Sequence, residues 1–285
     1  MDKIINILKD QKAITIDKYI DIALYDKKFG YYIKKNPFGK KGDFITSPLI
    51  SKLFGEMIGI WCISFWESLG KPKKIILVEL GPGDGSLCKD LLDVFKNFKD
   101  FYNCVEIKLF EKSEKLKNIQ RKQIKNTKTK WIKTLKELNC GPIIFIGNEF
   151  FDSLPIKQIQ KKNGLFFEKY ITLSEDEKNF EFLYKKATKN LIKSIKELNL
   201  NSKEKIIEYP VESIKYLKVI SKIIRKYGGG ILSIDYGYTK KKNIETLQSV
   251  KDHKYNNILK NPGSADITHH INYNLFSQIL KKNNL

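Results

Sequence analysis

The stretch Ile75-Ile76-Leu77-Val78-Glu79-Leu80-Gly81-Pro82-Gly83-Asp84-Gly85 decides the fold. An apolar, β-branched run of this length reads as a buried strand. It ends on an acid and then on alternating glycines, the residues that let a backbone turn tightly and come close to a small ligand. Ser86 to Leu92 continues as a helix whose first N–H groups, having no partners in the helix, face that ligand. Strand, glycine loop and helix in this order open an α/β unit.

The spacing selects the ligand. A dinucleotide site reads G-x-G-x-x-G, with a pyrophosphate on the helix N-terminus. Here the glycines are Gly81, Gly83 and Gly85, and Glu79 stands two residues before them. A carboxylate there repels a pyrophosphate and welcomes a cation such as the ammonium and sulfonium of S-adenosylmethionine. The pattern resembles the first motif of the class I methyltransferases; the alternative is a turn that only joins a strand to a helix. A second alternating run, Val105 to Phe110, also ends on an acid, Glu111. In nucleoside-binding α/β folds an acid after the second strand accepts hydrogen bonds from ribose hydroxyls, so Glu111 is the ribose candidate. Its other reading is a solvated charge within Glu111 to Lys115.

Composition narrows the class. The 285 residues suffice for one large α/β domain with an insertion or for two small ones. No run of about 18 apolar residues is present, so no membrane span is expected. Met1 to Asn6 does not resemble a secretory signal, and a cytoplasmic protein is expected. Cys62, Cys88, Cys104 and Cys140 form no C-x-x-C pair, and the histidines are only His253, His269 and His270, so no metal is expected. The net charge of +21 invites nucleic acid. Against it, only Arg121 and Arg225 are arginine, and the lysines are dispersed as on solvated surfaces.

The pattern divides the chain into 1–72, an N-terminal helical extension; 73–156, the first half of a core; 157–210, an α+β insertion; and 211–285, the second half. Helices are expected at 14–25, at 49–69 with a wide apolar face, through most of 112–138, near 187–198 and at 211–227. Gly141 to Glu149 reads as a central strand, the fourth, and Gly229 to Asp235 as the fifth.

Asn148-Glu149-Phe150-Phe151-Asp152-Ser153-Leu154-Pro155 follows the fourth strand, which in such sheets lies next to the first. Asn148 is assigned to the donor. Glu149 and Asp152 are the paired carboxylates suited to hold a guanidinium and accept its proton, unless Asp152 or Asn148 caps a following helix. Asp235, at the end of strand five, and His270 are next in line.

Together these segments resemble the MidA family, which includes a mitochondrial complex I assembly factor that methylates an arginine of a core subunit. The matching residues are Gly42 to Pro48 with Phe54-Gly55-Glu56; Glu79 to Gly83 with Gly85; Asn148 to Pro155; Asp235-Tyr236-Gly237; Leu247-Gln248 with His253; and Pro262-Gly263 with Asp266-Ile267-Thr268 and His270. Leu49 stands where the family commonly has an acid. The resemblance implies a Rossmann-like class I methyltransferase sheet, S-adenosylmethionine as donor and a protein arginine ω-nitrogen as acceptor, in a complex I subunit. It also implies that a closing antiparallel hairpin, which the family has after the helix near 274–280, is missing here. The rivals are an RNA or small-molecule methyltransferase and a non-catalytic assembly chaperone that keeps the donor site.

Overall fold

The computed structural model describes residues 2–34, 51–200, 205–240 and 245–283. Gly42 to Pro48, Leu49 and Asn36 to Gly39 lie outside the described residues. The chain forms two compact units, one of residues 1–31, 151–218 and 236–283, the other of 32–150, 219–235 and 284–285. Each unit thus draws on more than one of the four segments marked out in the sequence.

The second of these units holds a parallel five-stranded sheet, with β1 at Ile75–Leu80, β2 at Val105–Phe110, β3 at Thr129–Ile132, β4 at Ile143–Asn148 and β5 at Gly229–Ile234, in the order β5-β4-β1-β2-β3. The order reverses beside β1, and at such a switch point open α/β sheets bind ligands beyond their strand ends. One face carries the apolar rows Ile75-Leu77, Val105-Ile107-Leu109 and Ile144-Ile146. Helix Lys52–Ser68 covers them with Ile58, Cys62, Ile63 and Trp66, and helix Ser86–Phe95 with Leu87, Cys88, Leu91 and Phe95. The exposed Leu53, Met57 and Ile60 make the first helix apolar on more than its buried side.

The expectation of helix through 112–138 is corrected. The helix is Glu114–Gln123, followed by β3 and a short 3-10 turn at Leu135–Glu137. Ser113 caps this helix, its Oγ accepting from Leu116 N–H at 3.3 Å, while Glu114 in the first turn and Arg121 and Lys122 in the last suit the helix dipole. β3 was hidden because only Thr129 and Ile132 of its four residues are buried and lysines surround it.

The other unit is built on an antiparallel sheet in the order Ala13–Thr15, Leu165–Leu173, Lys157–Lys162, Ile206–Tyr209, with Phe180–Lys186 also on Leu165–Leu173. Helix Ile16–Tyr25 follows the first strand and buries Tyr19, Ile20, Ala23 and Leu24. A smaller three-stranded sheet joins Gln248–Lys251 to Lys254–Asn256 and Asp266–Thr268. Among the described residues no helix is long and apolar enough to cross a membrane.

Candidate functional site

Register places the donor candidates. Leu80 pairs with Phe110 and Gly147, so Gly81, Glu111 and Asn148 stand one residue further on at the carboxyl ends of β1, β2 and β4. Glu79, Glu111 and Asn148 also continue the three apolar rows that face the two helices. Three polar groups therefore end three buried rows on one face of the sheet.

The turn between β1 and its helix is fixed by its own backbone. Gly81 N–H donates to Phe110 C=O at 3.0 Å and Gly85 N–H to Pro82 C=O at 2.8 Å, while Asp84 Oδ1 accepts from Ser86 N–H at 2.9 Å. Gly81, Gly83 and Gly85 have φ of +64°, +59° and +92°, values that side chains resist. A Cβ on Gly81 would stand 2.9 Å from the Phe150 ring, and one on Gly85 would stand 2.9 Å from Ile124. Gly81 and Gly85 are therefore required for space as well as conformation.

Glu79 is 3% exposed, and its Oε2 is buried with no hydrogen-bond partner. Burial, reinforced by the like charges of Asp84 and Glu111, pushes its carboxyl up to about 8. Asn148 Oδ1 is likewise buried and unpartnered. Buried polar atoms without partners are costly; Asn148 Oδ1 accepts, and Glu79 becomes an acceptor once ionised, so the group that fits them donates hydrogen bonds or carries positive charge. Glu111 is no solvated surface charge. Its Oε1 accepts from Ser113 N–H at 2.8 Å and its Oε2 from Gln120 Nε2 at 3.2 Å. Burial raises its pKa, while the bonds from Ser113 and Gln120 and the charge of Lys117 counter that rise.

A carboxylate cluster inside a chain of net charge +21, two buried acceptors without donors and a glycine turn that excludes side chains together fit S-adenosylmethionine. A family model of S-adenosyl-L-methionine-dependent methyltransferases matches residues 57–285. The chain belongs to this family. It is 33% identical to the Xenopus tropicalis protein arginine methyltransferase NDUFAF7, mitochondrial, over 96% of its own length and 69% of that protein's. To the human protein of the same name it is 30% identical over 93% of its length and 65% of the other's. Among solved structures, a superfamily member from Burkholderia thailandensis bound to S-adenosyl-homocysteine aligns with a TM-score of 0.83 at 19% identity, over 99% of this chain and 76% of that one. The fold is thus that of a class I methyltransferase, the enzyme is S-adenosylmethionine-dependent, and the MidA resemblance holds. The expectation of a cytoplasmic protein is corrected, because these relatives are named mitochondrial.

The acceptor-side candidates divide between the units. In the sheet unit, Glu149 follows β4 at φ +49°, an unusual conformation for a side chain of its size, and its N–H donates to Ile234 C=O at 2.9 Å. Asp235 is the next residue after Ile234, so the two acids stand beyond adjacent strand ends. In the other unit, Asp152 is buried and its C=O accepts from His269 N–H at 3.0 Å, which places it beside the His269-His270 turn. No helix begins at Asp152, since the chain turns at 151–154 and enters strand Lys157–Lys162. The capping alternative therefore does not apply.

Sequence reasoning missed two kinds of support. Glu208, in the segment read as an insertion, accepts from Gln158 Nε2 at 3.0 Å, Thr246 N–H at 2.9 Å, Thr246 Oγ1 at 2.5 Å and Leu247 N–H at 3.1 Å. Thr246 Oγ1 in turn accepts from His270 N–H at 2.9 Å. His269, rather than His270, is the buried histidine; burial holds its imidazole below the usual value. The other is Gln120, a fully buried amide four residues after buried Leu116. A polar residue at an apolar position of the helix face was its only signal. Among the described residues no cluster of His, Cys, Asp and Glu has the makings of a metal site.

Proposed function

We propose that this enzyme methylates an ω-nitrogen of a protein arginine, in a subunit of respiratory complex I. The observation that carries the reading is Glu149, a carboxylate held in a strained backbone conformation next to the Asn148 and Glu79 end of the donor sheet. The relatives named protein arginine methyltransferase support the acceptor class, and the MidA resemblance adds the complex.

When bound, S-adenosylmethionine supplies an electrophilic methyl on a sulfonium, whose C–S bond breaks as the N–C bond forms. Glu79 and Asn148 would receive the donor's polar groups and Glu111 its ribose hydroxyls, and the turn Gly81, Gly83 and Gly85 would leave room for it. Glu149 orients the acceptor guanidinium through charge-assisted hydrogen bonds and takes the proton that the nitrogen loses. A guanidinium does not deprotonate free in water at neutral pH, so a placed carboxylate does necessary work in this step. Asp152, in the other unit, is the second carboxylate that the sequence singles out, and Asp235 and His270 are next in line. Positioning and electrostatics supply most of the rate in such a displacement.

The test is transfer of tritium from labelled donor into a mitochondrial extract, followed by protease or nuclease digestion and amino-acid analysis. Label that survives nuclease and is recovered as methylarginine supports the reading. Label lost to nuclease would assign the acceptor to RNA, and no transfer by a protein that binds S-adenosylhomocysteine would leave a non-catalytic role.

A further inference from the structure

Gln120 occupies the crossing between the glycine turn and the ribose strand. Its Nε2 donates to Gly83 C=O at 2.8 Å and to Glu111 Oε2 at 3.2 Å, and its Oε1 accepts from Trp131 Nε1 at 2.8 Å. The indole N–H can only donate. It therefore settles which end of the amide faces the two oxygens, and the amide cannot flip without losing all three bonds. Trp131 belongs to β3, whose register fixes it opposite Leu109, and the Arg121 guanidinium lies over its ring at 5.1 Å.

Glu111 is thereby held from both sides, by Ser113 N–H on one oxygen and by Gln120 on the other. Anchoring each oxygen sets the plane of the carboxylate. Two adjacent acceptors in a fixed plane match two adjacent hydroxyls.

We infer that Gln120 is a positioning residue for ribose recognition. Braced by Trp131, it orients the Glu111 carboxylate and the Gly83 carbonyl, so that the donor pocket selects a vicinal diol over a deoxyribose. The inference rests on Glu111 as the ribose acceptor, and the experiment separates the two claims.

Calorimetry on the full chain measures affinity for S-adenosylhomocysteine and for its 2′-deoxyribose analogue. The wild type prefers the ribose form, and Glu111→Gln abolishes the preference. Gln120→Leu keeps the side-chain bulk without the bonds; it weakens S-adenosylhomocysteine about tenfold, in the range of one lost hydrogen bond to a charged group, and leaves the deoxy analogue nearly unchanged. The double variant binds no more weakly than Glu111→Gln alone, because one interaction is removed in each case. Trp131→Phe lowers the preference part of the way.

A Gln120→Leu protein that retains the wild-type preference, even with both affinities reduced, overturns the inference and reduces Gln120 to a structural role. A Glu111→Gln protein that retains it overturns the ribose assignment itself. Gln120→Glu covers the case in which the leucine variant fails to fold. Its new carboxyl, once protonated, again donates to Glu111, so its preference for ribose recovers as the pH is lowered. The other charged groups that bear on Glu111, namely Glu79 and Lys117, are common to both proteins. A preference independent of pH in that variant would also overturn the inference.

Discussion

Replacing Glu79 by glutamine should raise the stability of the ligand-free protein relative to the wild type as the pH rises, and should abolish donor binding. The folded protein holds the Glu79 proton up to about pH 8, whereas the unfolded chain releases it near 4.5. Between these values the folded state binds more protons than the unfolded one. The wild type therefore has its full stability from this group at low pH and loses it as the pH rises through that window. Each pH unit in the window costs about 1.4 kcal/mol, which reaches about 3 kcal/mol at pH 7. Glutamine removes the titration. Its buried amide carries its own cost, about 1–3 kcal/mol, but that cost does not vary with pH. Urea melts of both proteins from pH 5 to 8.5 should show the glutamine variant gaining on the wild type by about 1.4 kcal/mol per pH unit, then running parallel above about pH 8. Parallel curves throughout would refute the reasoning, because they would mean that Glu79 is ionised in the folded protein at neutral pH. Donor binding gives a second reading of the same group. A carboxyl with a pKa of about 8 is roughly nine-tenths protonated at pH 7. A cation bound beside it expels most of a proton, so the heat of binding should differ between phosphate and Tris buffers.

Gly83→Val should abolish S-adenosylhomocysteine binding measured by calorimetry while leaving the far-UV spectrum intact. Gly85→Ala, at φ +92° and 2.9 Å from Ile124, should lower stability by about 2 kcal/mol in urea melts and weaken binding as well. Glu149→Gln and Asp152→Asn should each reduce turnover about a hundredfold with donor affinity unchanged; if both keep full activity, Asp235 and His270 become the groups to replace. Glu208→Ala should destabilise its unit by about 3 kcal/mol, since it strands buried donors from Gln158, Thr246 and Leu247.

The donor half of the molecule was readable because its strands are continuous apolar runs closed by acids and glycines. β1, β2, β4 and β5 lie where Ile75, Val105, Ile143 and Gly229 announce them. The edge strand Thr129–Ile132 was not readable, because its two buried residues, Thr129 and Ile132, fall on opposite faces and give no alternation, and its neighbours are lysines. Gln120 and Trp131 were hidden for a different reason. Their importance lies in what they touch, and an amide in a lysine-rich helix has no local pattern that reveals a partner 37 residues away. The division into units was illegible because pairings between distant segments create it, such as that of Ala13 with Thr172.

That last pairing bears on the order of events as the chain is synthesised. Ala13–Thr15 is the outer strand of an antiparallel sheet whose neighbour, Leu165–Leu173, emerges about 160 residues later. At a translation rate of about 5–20 residues per second, the N-terminal segment waits roughly ten to thirty seconds for its partner. During that wait Ile14 and Ile16, both buried in the finished protein, are apolar groups without a destination. The parallel sheet is interrupted in the same way, because β5 arrives some 80 residues after β4. Neither unit is a continuous stretch of chain, so no single cut yields either one whole, and Ala13–Thr15 finds its place only after Leu165–Leu173 has been made.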